Sequence, residues 1–235
     1  MKPLSECTGR GVRIAVVDTG VHASHPHVGG IVEGIGIRDD GSFDDDFVDR
    51  LGHGTAVSAA IHERAPDAAI IAIKVFWRSL STSIATLVRG IDEAVARNAS
   101  VINLSLGTSN TAHRVLLQNA VKHTPKHAAV IVAAVETGVE WLPGSIEGVI
   151  PVTLDWTCPR DRYRLVMHDG RVSIAASGYP REIPGVPPER NLKGLSFAVA
   201  NATGFVALAR EAASGDQLSD IWNALGRGLH GVADG

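Results

Sequence analysis

The sequence predicts an α/β protein built as a single doubly wound domain. Near-continuous apolar runs, typical of parallel strands buried on both faces, alternate along the chain with segments of helical periodicity. The 235 residues are 45% hydrophobic and rich in glycine, which suits one sizeable core with many tight turns. Neither an internal repeat nor a linker divides the chain, so we expect one domain over residues 1–235.

Five apolar runs predict buried strands, and the periodic segments around them predict helices. The predicted strands cover residues 12–17, 69–75, 101–104, 129–134 and 148–153. The predicted helices cover residues 54–63, 84–97, 112–123, 196–213 and 218–225. Two stretches are predicted loops: residues 38–50, rich in Asp, and residues 177–194, rich in Pro and Gly.

Composition and charge exclude several classes of function. The formal net charge of −3 gives no electrostatic reason to expect nucleic acid or an acidic membrane as a partner. No apolar run is long enough to cross a bilayer, and the first residues lack the apolar core of a signal peptide, so we expect a cytoplasmic protein. Cys7 and Cys158 have no metal-ligand spacing, and we expect reduced thiols rather than a disulfide.

Three short motifs place an acid, a base and a nucleophile in that chain order. Asp18 ends the first predicted strand in Val-Val-Asp-Thr-Gly, and His53 opens a predicted helix in Gly-His-Gly-Thr. Ser196 opens another predicted helix in Gly-Leu-Ser-Phe-Ala. Each motif alone is most often a turn, a helix start or an N-cap. Because the carboxyl ends of parallel strands share one rim of a sheet, we expect the three side chains to face that rim.

Together these residue types predict nucleophilic acyl transfer. A serine hydroxyl is a poor nucleophile at neutral pH unless a base takes its proton and a third group orients that base. We expect Ser196 to attack, His53 to accept its proton and Asp18 to hold the imidazole. The helix N-terminus at Ser196 would direct backbone N–H groups at a developing oxyanion. This chemistry calls for no cofactor and no metal ion.

The order Asp, His, Ser and its flanking residues resemble those of the subtilisin-like serine proteases. The likeness includes residues 12–25, 49–55, 65–75, 102–107 and 194–204. It implies a subtilisin-like domain with a mostly parallel sheet of about seven strands flanked by helices, and endopeptidase activity on extended peptides. It also implies a primary specificity pocket lined by two segments: Ser105, Leu106 and Gly107, and Ala133, Ala134 and Val135.

One position departs from the family pattern at the oxyanion site. The family usually carries Ala-Ala-Gly-Asn there and its Asn donates a hydrogen bond, but this chain has Ala-Ala-Val135-Glu136. Losing one such donor costs about 100- to 1000-fold in turnover. Three interpretations stay open. A buried, protonated Glu136 donates the bond; or Glu136 points away and the Ser196 N–H works with another donor or water; or the protein has lost activity.

Smaller departures bear on packing and specificity. Leu195, Phe197, Ala200 and Asn201 replace the family's Thr, Met, Pro and His, which affects the helix start more than proton transfer. Val135 replaces a glycine and is expected to narrow the primary pocket, favouring small or medium P1 residues. The acidic stretch 39–49 matches no known calcium loop and is interpreted as a solvated loop, with calcium binding as the alternative. Three aromatic residues that follow predicted strands either line the cleft or pack in the core: Phe76, Trp77 and Trp141.

The sequence therefore predicts a serine endopeptidase that acts on a peptide or protein substrate, with maturation of a specific peptide as a suggested role. Two alternatives remain open. One is a catalytically impaired peptide-binding module with the same fold. The other is an acyl transferase that passes its acyl group to an amine, as peptide cyclases of this family do.

Overall fold

One nine-stranded sheet runs through the computed structural model, which describes residues 2–125 and 129–230. Its spatial order is β3-β2-β4-β1-β5-β6-β7-β9-β8. The strands are β1 (Arg13–Asp18), β2 (Ile31–Ile37), β3 (Phe43–Asp44), β4 (Ala69–Lys74), β5 (Val101–Leu104), β6 (Val130–Ala134), β7 (Val149–Leu154), β8 (Tyr163–His168) and β9 (Arg171–Ala176). Only the two edge pairs, β2 with β3 and β8 with β9, are antiparallel, which confirms the mostly parallel sheet.

The five predicted helices are confirmed within a few residues at each end. They are α1 (His53–Arg64), α2 (Ile84–Ala96), α3 (Arg114–His123), α4 (Leu195–Ala212) and α5 (Leu218–His230). A 3-10 turn over Thr111–His113 precedes α3 and accounts for the earlier start that the periodicity predicted. Of the predicted domain, residues 1, 126–128 and 231–235 lie outside the described residues.

The family resemblance implies about seven strands, and the sheet has nine: the five predicted apolar runs and four strands without a continuous apolar run. β2 is interrupted by Gly34 and Gly36, and β3 has only two residues. β8 and β9 form an edge hairpin, so exposed residues such as Met167 alternate with covered ones. Its turn, Asp169-Gly170, has φ angles of 49° and 76°, the left-handed geometry that two-residue hairpins favour.

Helices cover both faces of the sheet. On one face α1, α4 and α5 bury side chains that include Ile14 and Val16 of β1. On the other face α2 and α3 bury the intervening residues Ala15 and Val17. Because successive strand residues point to opposite faces, a strand covered on both sides must be apolar throughout, as the first run in the sequence is.

The strand order reverses beside β1. The chain adds β2 and β4 on one side of β1 and then crosses to add β5 on the other. In open α/β sheets, a crevice forms outside the carboxyl ends of the strands at such a switch point. Asp18 is the last residue of β1, and Ser105 directly follows β5, so both lie at this crevice.

Candidate active site

Asp18 and His53 form a hydrogen-bonded pair at the switch point. His53 Nδ1 lies 2.8 Å from Asp18 Oδ1 and 3.0 Å from Oδ2. The carboxylate is fully buried and also accepts a 2.7 Å hydrogen bond from the backbone N–H of Thr19. Because both carboxylate oxygens face Nδ1 as acceptors, His53 carries a proton on Nδ1, and in the neutral ring Nε2 keeps its lone pair. This is the arrangement that the sequence predicts for the pair.

The surroundings of His53 set its protonation. Burial lowers the pKa of the imidazole, but the hydrogen bond to Asp18 and the negative charges of Asp18 and Asp49 outweigh it, so the pKa lies above its ordinary value. The ring also packs against Phe197, with ring centroids 5.7 Å apart. A base with a raised pKa becomes neutral, and therefore able to accept a proton, only at a higher pH than an ordinary histidine.

Asp49 holds the start of the helix that carries His53. Its carboxylate accepts hydrogen bonds from the backbone N–H groups of Leu51 (2.9 Å), Gly52 (2.8 Å) and Thr55 (2.9 Å), and from the Thr55 hydroxyl (2.7 Å). Burial raises the pKa of this carboxyl, but the hydrogen bonds from Thr55 and Gly52 outweigh burial and hold it below its usual range. Asp49 is thus a cap that fixes His53 through the backbone of α1.

Other aspartates of the acidic stretch accept hydrogen bonds from their own loop. Asp40 accepts from Ser42, and Asp46 from the N–H of Val48. The buried Lys74 donates a 2.7 Å hydrogen bond to the carbonyl of Val48, so this loop is tied to β4. In the part of the chain that the structure describes, no three His, Cys, Asp or Glu side chains are placed to hold a metal ion.

Glycines with positive φ start both helices that carry site residues. Gly52, with φ of 87°, precedes His53, and Gly194, with φ of 144°, lies two residues before Ser196. Residues with a Cβ rarely adopt these angles. The two glycines therefore let the chain turn sharply into α1 and α4, so that each helix presents its first residues to the crevice.

Ser196 lies in the same cavity as His53, but its hydroxyl bonds elsewhere. Ser196 Oγ donates to the backbone carbonyl of Ser105 over 3.0 Å, and Ser105 Oγ lies 2.9 Å from the carbonyl of Ser196. Ser105 Oγ also lies 3.0 Å from Asn103 Oδ1. The Asn103 side-chain amide in turn donates to the hydroxyl of Thr203 in α4 at 2.8 Å. This buried chain of polar groups joins the end of β5 to α4. Asn103, with Asp49, is a site residue whose contribution the motifs did not indicate.

A cavity of about 400 Å³ opens beside Ser196 and His53. Ser105, Leu106 and Gly107, the first predicted wall of the primary pocket, line it together with residues 80–84. Trp141 lies against Gly107: a Cβ added to Gly107 would fall 2.0 Å from Trp141 Nε1. Among the described residues, nothing accepts a hydrogen bond from this indole N–H. An aromatic ring therefore occupies space next to the predicted primary pocket.

The second predicted wall of the primary pocket does not border this cavity. Among the described residues, those that line it exclude Ala133, Ala134, Val135 and Glu136. Ala133, Ala134 and Val135 are buried at the end of β6, whereas Glu136 is exposed in a tight turn bridged to Val139. The first of the three interpretations requires a buried Glu136, and the side chain is exposed. Its oxyanion role stays a prediction that this placement does not support.

Two of the three aromatic residues after the strands line the cavity, and the third packs away from it. Phe76 and Trp141 line the cavity. Trp77 instead donates its indole N–H to the carbonyl of Ile37 at 2.8 Å, and Lys74 Nζ lies 4.2 Å from the centre of its ring.

No helix in residues 2–125 or 129–230 is long and apolar enough to cross a membrane.

These features define a three-layer α/β protein with a serine, a histidine and an aspartate gathered at the switch point of its sheet. The chain belongs to the subtilase family, whose family model matches residues 9–140. Subtilisin from Bacillus pumilus is 29% identical over 212 residues, which cover 83% of this chain and 72% of that protein. The chain spans about half the length, 52%, of several other curated relatives, among them subtilisin E from Bacillus subtilis.

Solved structures share the fold. A cold adapted subtilisin-like serine proteinase superposes with a TM-score of 0.68 and 22% identity, covering 93% of this chain and 82% of that chain. A lanthipeptide protease superposes with a TM-score of 0.69 and 18% identity, covering 93% and 80%. The predicted subtilisin-like fold is therefore confirmed.

Proposed function

We propose that this chain is a serine endopeptidase in which Ser196, His53 and Asp18 form the catalytic triad. The observation that carries the proposal is the hydrogen bond between His53 and the buried Asp18, with His53 and Ser196 lining one open cavity. Membership of the subtilase family supports it. An oriented imidazole next to a serine at a helix start is what acyl transfer to a hydroxyl requires.

The first step begins with a rotation of the Ser196 side chain. Turning about χ1 to another staggered position releases the Ser105 carbonyl and brings Oγ toward His53 Nε2. In unliganded enzymes catalytic hydrogen bonds are often long or poorly aligned and tighten when substrate binds. Ser196 Oγ then attacks the scissile carbonyl carbon while its proton passes to His53. The C–N bond breaks as His53 returns that proton to the leaving amine, and water hydrolyses the acyl-enzyme by the same route.

Backbone groups at the start of α4 stabilise the oxyanion in this proposal. The first N–H groups of a helix have no intrahelical acceptor and carry the positive end of the helix dipole. Ser196 is the second residue of α4, so its N–H lies at this end. Because Glu136 is exposed and outside the cavity, water or another donor supplies the second hydrogen bond.

The cavity favours a peptide with a small P1 side chain. Trp141 covers Gly107 and takes up room that a large P1 residue would need. In this proposal Trp141 narrows the primary pocket in place of Val135, which is buried and is not among the described residues that line the cavity. A restricted primary pocket suits cleavage of a specific precursor peptide, and the maturation role is proposed on that basis.

Labelling with a fluorophosphonate tests the proposed nucleophile. We expect the unmodified chain to be labelled covalently on Ser196, and Ser196→Ala to remain unlabelled. Ser81→Ala, which removes another hydroxyl lining the same cavity, is the matched control and should label normally. If no Ser196-dependent labelling occurs from acidic to alkaline pH, the protein is a peptide-binding module.

Product analysis distinguishes hydrolysis from acyl transfer. Linear peptide products would indicate hydrolysis, and cyclic products would indicate transfer to an amine.

Replacing Glu136 tests whether that carboxyl acts at the oxyanion. Because the side chain is exposed and borders no part of the cavity, we expect Glu136→Asn to keep kcat/KM within about threefold, with an unchanged pH profile. Glu147→Gln, at another exposed carboxylate, is the control. A gain of about 100-fold at high pH in Glu136→Asn alone would show instead that Glu136 occupies the oxyanion site.

A further inference from the structure

A second and larger cavity, of about 690 Å³, lies at the far ends of the two helices that carry site residues. His53 is the first residue of α1, and Arg64, the last, lines this cavity. Ser196 is near the start of α4, and Phe205, Leu208 and Ala212 of its later turns also line it. A helix rises 1.5 Å per residue, so the two cavities are separated by the length of α1, roughly 15–18 Å.

The floor of this cavity is apolar. Phe205, Leu208, Cys158 and Tyr163 are buried beneath it, and Leu4 packs onto the same core. Tyr163 and Phe205 contact each other with ring centroids 4.8 Å apart. A concave, mostly apolar space of this size is typical of sites for small molecules.

The lining carries an excess of positive charge. Among the described residues, five cationic side chains and one carboxylate, that of Asp161, border the cavity. The cations are Lys2, Arg64, Arg162, Arg164 and Arg227. Lys2 pairs with Glu211 at 2.6 Å, and Arg164 pairs with Asp155.

Arg64 differs from those paired cations. Its guanidinium donates to the carbonyl of Arg160 at 3.1 Å and lies 4.9 Å from the centre of the Phe205 ring. Within the described residues, neither Arg64 nor Arg162 forms an ion pair within 4 Å: Glu63, whose charge acts on Arg64 as that of Asp161 does, is paired with Arg160 and Arg181. A positive charge stacked over an apolar floor without a carboxylate partner is a favourable position for an anionic group.

We propose that this cavity binds an amphipathic carboxylate, with its apolar chain on the floor formed by Phe205 and Leu208 and its carboxylate at Arg64 and Arg162. The apolar chain gains from leaving water. The planar guanidinium groups match a carboxylate in shape and charge. The site is separate from the proposed protease cleft, so it stands whether or not the chain cleaves peptides.

Binding of decanoate, followed by isothermal titration calorimetry on the full chain, tests the proposal. We expect decanoate to bind at least about tenfold more tightly than its neutral methyl ester, and more weakly as salt rises. Arg64→Gln and Arg162→Gln should each weaken binding about tenfold. Arg114→Gln, at a cation that borders neither cavity, should leave it unchanged. Equal binding of acid and ester, or unchanged binding in both cavity variants, would overturn the proposal.

Thiol protection provides a readout that does not depend on a variant. Cys158 lines this cavity, whereas the equally buried Cys7 does not. Decanoate should slow alkylation of Cys158 and leave that of Cys7 unchanged, and equal slowing of both would contradict the assigned site.

A chain shortened after His230 should bind decanoate like the full chain. Binding only after that shortening would show that the chain's own last residues occupy the cavity, which would also overturn the proposal.

Discussion

Asp18→Asn is expected to lower kcat by about 10⁴-fold while leaving the fold intact. The carboxylate accepts the Nδ1–H of His53 at 2.8 Å, so it fixes the tautomer that leaves Nε2 free to take the proton of Ser196. An amide NH₂ turned toward Nδ1 would favour the opposite tautomer. Steady-state kinetics on a peptide with a small P1 residue measures the loss, and KM should change little because Asp18 is fully buried away from the substrate.

The same variant should change the pH profile in a definite direction. Asp18 raises the pKa of His53, and a general base works only in its neutral form. Removing that negative charge lowers the pKa of His53, so the acid limb of the residual activity moves to lower pH. Asp45→Asn, at an exposed carboxylate of the acidic loop, should preserve both kcat and the acid limb. A loss below tenfold in Asp18→Asn would contradict the triad assignment.

Trp141→Ala is expected to shift the P1 preference from alanine toward phenylalanine by about 100-fold. The indole lies against Gly107 within the cavity that contains Ser196, so its removal opens space beside the predicted primary pocket. Filling such space with a P1 phenylalanine gains apolar burial that the unmodified chain excludes. The measurement is the ratio of kcat/KM for P1 Phe to that for P1 Ala in otherwise identical peptides.

A second tryptophan controls for the loss of an aromatic side chain. Trp156 is 48% exposed, packs against Tyr179 and does not border the cavity among the described residues. Trp156→Ala should therefore keep the unmodified ratio, and circular dichroism should show both variants folded. If the unmodified chain already prefers Phe, Tyr or Arg at P1, Trp141 does not limit the pocket and the proposed specificity is wrong.

The strands and helices that could be predicted are those whose burial leaves a periodic signal. β1, β4, β5, β6 and β7 are covered on both faces, and their apolar runs identified them. β8 and β9 were missed because an edge hairpin needs only part of its surface covered. β2 was missed because Gly34 and Gly36 interrupt its apolar pattern.

The site residues that could be predicted are those that belong to short local sequence motifs. Asp18, His53 and Ser196 each have characteristic neighbours. Because sites in open α/β sheets form at the carboxyl ends of the strands, the three residues were expected to meet at that rim. The support of the site has no such signature. Asp49 caps α1 through a loop, and Asn103 reaches Ser105 and α4 across residues that are far apart in the chain.

By itself, therefore, the sequence determined the mostly parallel α/β fold, the family resemblance and the candidate triad, because these depend on local pattern and strand order. Only the tertiary structure decided that Trp141, rather than Val135, borders the cleft, and that Glu136 is exposed. It also decided that Ser196 Oγ donates a hydrogen bond to the backbone carbonyl of Ser105. Which side chains meet across a cavity depends on how loops distant in sequence pack together, and local periodicity does not record that packing.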